Sequence, residues 1–158
     1  MTIEIPGHGQ FNDSDDDWTA TLGVDVVDDD VEFTVVHDGE DVDIEAVATC
    51  LTNFRTLPES ALKDATSQVF ANYRETVEEF SAEERDDYGI PDITDPADVW
   101  DHLTLGSAAS IEKDDETDEW YVITENECEW NAEGGLQIVL RNGEDVTRVS
   151  EYDGFIRD

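Results

Sequence analysis

The sequence predicts an α+β fold: a largely antiparallel sheet of about six strands, with an N-terminal hairpin, two main helices grouped on one face and a C-terminal meander. Three observations carry this expectation. Apolar residues alternate with polar ones from Trp18 to Val35, recur at intervals of three and four from Ile44 to Phe80, and alternate again from Leu103 onward. Because the helical stretch is not interleaved with strands, the helices gather on one side of the sheet. No repeat, linker or composition break divides the chain, so 1–158 reads as a single domain.

Trp18, Ala20, Leu22, Val24 and Val26 form the first alternating run, and Val31, Phe33 and Val35 the second. The Asp28-Asp29-Asp30 loop between them makes a hairpin. Asp43 is placed to cap a helix carrying Ile44, Val47, Leu51 and Phe54, with Arg55 near its C-terminal end. Thr56-Leu57-Pro58-Glu59 has the form of a capping box opening a longer helix, whose stripe is Leu62, Ala65, Val69, Tyr73, Val77 and Phe80. Ser81-Ala82-Glu83-Glu84 repeats the box for a short turn ending near Gly89, and Asp95-Pro96 opens another short helix through Trp100. Strands follow at Leu103–Ile111 and Trp120–Trp130, joined by the polar Asp114–Asp118 turn.

The last hairpin has the strongest local signal. Asn142-Gly143 favours a two-residue type I′ loop, whose central residues both need positive φ. That loop sets Arg141 opposite Glu144 and Val139 opposite Val146. Leu136, Ile138, Leu140 and Val149 then face the core, while Gln137, Val139, Arg141, Val146 and Arg148 share the other face.

Charge is the outlying property. Forty-three acidic residues face eight basic ones, a net charge of -35 over 158 residues. Asp outnumbers Glu 24 to 19, and Lys63 and Lys113 are the only lysines. Such a surface repels itself in dilute salt, and at 1 M salt the Debye length shrinks to about 3 Å. The pattern resembles proteins of extremely halophilic archaea, so acidity here reads as solvent adaptation rather than as evidence for a basic partner. Phosphate-directed binding of nucleic acid needs basic clusters, and the sequence has none. No apolar run is long enough for a membrane span or signal peptide, which makes the expected location cytoplasmic. Cys50 and Cys128 have no metal or redox spacing and read as buried free thiols.

Candidate chemistry is sparse. Asp13-Ser14-Asp15-Asp16-Asp17 has the opening spacing of a calcium loop, but Trp18 and Val24 stand where an EF-hand needs Gly and Glu. Asp98 and His102 are four apart, a spacing that metal ligands and ordinary helix ends share. Neither pattern makes a metal or cofactor site, and no nucleophile elbow, Walker loop or dinucleotide fingerprint occurs. The stretch Cys128-Glu129-Trp130-Asn131-Ala132-Glu133-Gly134-Gly135-Leu136 reads first as a packed sheet corner, with Glu133 left unexplained beside the turn.

This segment resembles the C-terminal signature of an uncharacterised family of small prokaryotic proteins, domain of unknown function 6985. The family pattern runs Cys-x-Trp-x-x-Glu-His-Gly-Leu, and Cys128, Trp130, Glu133, Gly135 and Leu136 match it. The family's His is Gly134 here, so the resemblance implies that no Glu–His acid–base or metal pair exists in this member. The family brings no activity with it. Its members look like small proteins found near toxin and immunity genes.

The expected function is therefore non-enzymatic binding of another protein by a halophile's cytoplasmic domain, with an immunity-like role among the candidates. Gln137, Val139, Arg141, Val146 and Arg148 are the expected interface, because paired arginines flanked by exposed valines stand out in so acidic a chain. The rival from another class is a calcium- or metal-dependent enzyme using the Asp-rich loops or the Glu133 corner.

Overall fold

The computed structural model describes residues 1–39 and 41–156. It is α+β. Eight strands form one sheet in sequence order: β1 (Thr2–Ile5), β2 (Gly9–Asp13), β3 (Asp17–Val24), β4 (Asp29–Val36), β5 (Leu103–Lys113), β6 (Trp120–Cys128), β7 (Leu136–Arg141) and β8 (Asp145–Glu151). Every neighbouring pair is antiparallel except β4 and β5, which run parallel. A parallel pair needs a long crossover, and this one carries all the helices: α1 (Ile44–Arg55), α2 (Glu59–Lys63), α3 (Thr66–Glu78), α4 (Ala82–Asp87) and a 3₁₀ turn over Pro96–His102.

Eight strands replace the six expected. β1 and β2 are four and five residues long, and their buried anchors are only Ile5 and Phe11. Three apolar positions, Ile3, Ile5 and Phe11, divided between two short strands, are too few to produce a legible alternation. The expected long helix is also divided. Thr56 does not cap it, because its hydroxyl donates back to the Thr52 carbonyl (2.6 Å), and Pro58 stands at the N-cap of α2 without a side-chain bond. Asp64 and Ala65 then separate α2 from α3. The other caps form as expected: Asp43 accepts from Ala46 N–H (3.2 Å), Ser81 and Glu84 form a reciprocal box, and Asp95 accepts from Ala97 N–H (3.1 Å).

The main core lies on one face of the sheet, between the strands and the helices. α1 buries Val47, Cys50, Leu51 and Phe54 there and α3 buries Val69, Tyr73 and Val77, in one core with Phe33, Ile111, Val122, Leu136, Ile138 and Leu140 of the sheet. Each fully buried aliphatic side chain of this kind contributes about 1.5–3 kcal/mol. α1 touches β1, β3 and β6, so the sheet curls around it.

His8 fastens the missed first hairpin to α1. Its Nδ1 faces Arg55 Nη1 at 2.7 Å, while Nε2 lies 3.2 Å from the Ala48 carbonyl and 3.0 Å from Thr52 Oγ1. A guanidinium can only donate, so Nδ1 accepts and the neutral ring carries its proton on Nε2. Burial lowers the pKa of His8 below its ordinary 6.5, and the Arg55 charge adds to this against the opposing Ala48 bond. A lowered histidine pKa makes the unfolded chain bind more protons as pH falls, so stability is present above the unfolded pKa and lost below it. Between about pH 7.5 and 5, the wild type should therefore lose stability relative to His8→Gln, measured by urea unfolding in high salt. A wild-type-minus-variant difference that stays flat over that window would refute this role for the ring.

The final hairpin corrects the expected register. Asn142 and Gly143 do take positive φ (54° and 77°), and Glu144 N–H donates to the Arg141 carbonyl (3.1 Å). The ladder, however, pairs Arg141 with Asp145, Val139 with Arg148 and Leu140 with Val146, with a bulge between Val139 and Leu140. One extra residue in a strand reverses the facing of the positions beyond it. Val146 thus packs on the main core beside Val149, not on the outer face.

The outer face itself is partly covered by the segment after β8. Ile156 packs on Tyr121, Ile123 and Val139. Gln137, with no exposed surface, donates to the Phe155 carbonyl (2.8 Å) and accepts from Gly154 N–H (2.9 Å). Arg148 grips both carboxylate oxygens of Asp153 (2.9 and 2.7 Å) and holds that carboxyl below the usual carboxylate range. Arg141 pairs with Asp145 at 3.2 Å. The expected interface of Gln137, Val139, Arg141, Val146 and Arg148 is therefore not an open surface. Two members are buried, one faces the core, and both arginines are engaged within the chain.

Candidate functional site

The nine-residue corner forms just after β6. Asn131 organises it: its side chain accepts from Gly134 N–H (2.9 Å) and its carbonyl from Gly135 N–H (2.9 Å). Gly135 has φ 71°, and a Cβ there would lie 2.8 Å from the Asn126 carbonyl oxygen, so the reversal requires glycine. Glu129 pairs with His102 Nδ1, and its N–H donates to the His102 carbonyl (3.0 Å), tying the corner to the 3₁₀ turn. His102 is thus engaged by Glu129 and not by Asp98.

Trp130 is the corner's anchor and is buried, in the same core as Trp120, Val122, Cys128 and Leu136. Its Nε1 donates to Asn72 Oδ1 on α3 (3.0 Å), and its ring meets Tyr73 edge-on at 5.6 Å. Tyr73 in turn donates to the Pro91 carbonyl (2.7 Å) and accepts from Ile93 N–H (2.8 Å). This chain of contacts holds α3, the 91–93 segment and the corner at fixed distances. Cys128 is packed rather than reactive, since burial pushes its thiol up to about 11 and that of Cys50 to about 12.

Between these elements lies an open groove of about 910 Å³. One wall is the face of α3 carrying Asn72, Glu75, Thr76 and Glu79, positions three and four apart that share a side of the helix. The opposite wall is Glu129–Glu133 with Val149, Ser150 and Glu151 from β8. Phe80, Tyr88, Ile90 and Trp130 supply the apolar surface. The Phe80 and Tyr88 rings meet at 5.5 Å, tilted by 58°, and Tyr88 remains 69% exposed. Behind the corner a second hollow of about 520 Å³ runs along the β5 bulge at Thr104–Ala108, with Gly134 and Gly135 on its rim. Ala132 and Glu133 line both spaces, which places the unexplained carboxylate on the wall between them.

Sequence reasoning singled out Trp130 and Glu133 but missed Glu75, Glu79 and Tyr88. The available signal was an aromatic residue at position 88 that belongs to no apolar stripe.

The Asp-rich loops are occupied with their own geometry. Ser14 Oγ donates to Asp17 (2.8 Å), the Asp16 carbonyl accepts from His37 and Asp38 N–H (3.0 Å each), and the His37 ring meets Trp18 at 5.3 Å, tilted by 46°. Among the described residues, no group of three or more His, Cys, Asp or Glu side chains is placed to hold a metal ion. Nor is any described helix long and apolar enough to cross a membrane.

No curated protein and no solved structure matches the chain. The sequence profile of the family described as Domain of unknown function (DUF6985) matches residues 7–156, from the β1–β2 turn to the segment that closes the outer face. That span takes in every helix, seven of the eight strands and both walls of the groove, and the chain accordingly belongs to the DUF6985 family.

Proposed function

We propose that the protein is a non-enzymatic binding module that engages another protein through the groove between α3 and the 128–136 corner, in an immunity-like role. The observation that carries this reading is the groove itself: a wide, open channel with exposed aromatic surface, built on a corner held rigid by Trp130, Asn72 and Tyr73. Tyr88, a large ring left in water beside this frame, is of the kind that anchors interaction sites. The overall charge supports a setting of molar salt, because counterions there screen self-repulsion on this scale within a few ångströms.

The test is affinity co-purification from native cells in about 2 M KCl, with wild type and Ala132→Trp as baits and mass spectrometry of the retained proteins. Ala132 is exposed on the groove wall, so the tryptophan fills the channel without entering the core. One stoichiometric protein that stays with the wild type and is missing from the variant is the expected result. A partner held equally by both baits, or no partner at all, would refute the groove as the interface.

A further inference from the structure

The groove's chemistry also specifies the character of its partner, an inference that rests on the reading of the groove as a protein-binding site. Its walls hold Glu75, Glu79, Glu129, Glu133 and Glu151, of which Glu129 is already paired with His102 from behind the wall, and no lysine, arginine or histidine lines the channel itself. All five are glutamates, although the chain has 24 Asp against 19 Glu. No aspartate lines the groove, which has only the acidic side chain with the longer reach. Phe80 and Tyr88 line the same channel with their rings 5.5 Å apart and tilted by 58°, and the exposed Tyr88 ring offers a face to which a cation is attracted by the ring quadrupole.

Several occupants fail on this chemistry. Nucleic acid carries the wrong sign. A second copy of the chain would bring another net charge of -35. Every described basic side chain is also already bonded within its own chain. A bare metal ion needs converging ligands, whereas these carboxylates are spread along the channel among aromatic groups.

We propose that the groove takes an arginine- and lysine-bearing segment of another protein, its cationic groups lying on Phe80 and Tyr88 between the glutamates of α3 and those of the corner. Apolar positions of the same segment pack on Ile90 and Val149. In molar salt the long-range field of the whole molecule is screened to about 3 Å or less, so contact pairs of this kind decide selectivity.

The probe is a fluorescein-labelled synthetic peptide alternating arginine with leucine, titrated into the full chain in about 2 M KCl and read by anisotropy. Saturable one-to-one binding is expected, absent for the peptide with glutamate in place of arginine. Glu75→Gln/Glu79→Gln/Glu133→Gln should weaken it by about tenfold or more, as should Tyr88→Ala. Asp28→Asn/Asp29→Asn/Asp30→Asn removes the same charge from a remote loop and should leave affinity within about twofold.

Equal weakening by the loop and groove triples would reduce the effect to bulk charge and overturn the proposal. If the glutamine triple binds unchanged while Tyr88→Ala and Ala132→Trp abolish binding, the groove is an interface but not for cations. If none of the groove variants matters, both readings fall.

Discussion

Gly106→Ala is expected to destabilise the protein by at least about 3 kcal/mol, at the upper end of what added core volume costs. The β5–β6 register shifts between Thr104 and Ala108, and at this bulge the two backbones approach so closely that a Cβ on Gly106 would overlap the Glu125 carbonyl oxygen. The obstacle is backbone in a neighbouring strand, so no side chain can rotate out of the way. Relief requires β5 to move off β6. That would stretch the 2.9 Å bond from Gly106 N–H to Asn126 Oδ1, which sits in a buried polar network. Asn126 also donates to Thr124 Oγ1 (2.9 Å) and the Leu136 carbonyl (3.2 Å), and Thr124 donates to the Ile138 carbonyl (2.9 Å). Opening one member leaves a buried acceptor unmatched, a cost on top of the overlap. Urea unfolding should place the Gly106→Ala midpoint far below wild type, while Ser107→Ala, at an exposed neighbour, stays within about 0.5 kcal/mol. Coincident midpoints for Gly106→Ala and wild type would show that the bulge can relax.

Trp130→Ala is expected to cost about 3–5 kcal/mol, the range for removing a large buried aromatic ring. The ring fills the space between β6, α3 and the corner, so its loss opens a cavity and removes the edge-on contact with Tyr73. It also strips Asn72 Oδ1 of its donor. Trp130→Phe keeps much of the ring volume and loses chiefly that hydrogen bond, so its penalty should be well under half as large. The ordering Ala far worse than Phe identifies packing as the larger contribution. Equal penalties would assign it instead to the Asn72 bond. Because Trp130 also lies in the groove, peptide binding by the Phe variant provides a further check: the corner geometry, and hence most of the affinity, should survive.

Periodicity made the larger elements legible. β3, β4, α1, α3 and β5–β8 each place apolar side chains at intervals that only one backbone geometry aligns on a face. The caps at Asp43, Ser81 and Asp95 could be read because capping is a contact between residues two or three apart. β1 and β2 could not be read in the same way. They are held by Ile5, Phe11 and the bonds of His8 to α1, all contacts with residues distant in sequence. The Asn142-Gly143 turn was legible in its φ angles, but the bulge beyond it was not, because Val146 gains its place only by packing on a core that other strands create.

The candidate site divides along the same line. The fold class, the acidic character and the composition of the corner at Cys128–Leu136 are legible in the chain, since each depends on local order or simple composition. Long-range packing, by contrast, sets Gln137 and Arg148 on the chain's own Asp153–Phe155 segment and brings Glu75, Glu79 and Tyr88 into one groove with Glu133. α3 and the corner are separated by a long stretch of chain that includes two whole strands. No local rule encodes their proximity, which arises from how the helices of the β4–β5 crossover settle on the sheet.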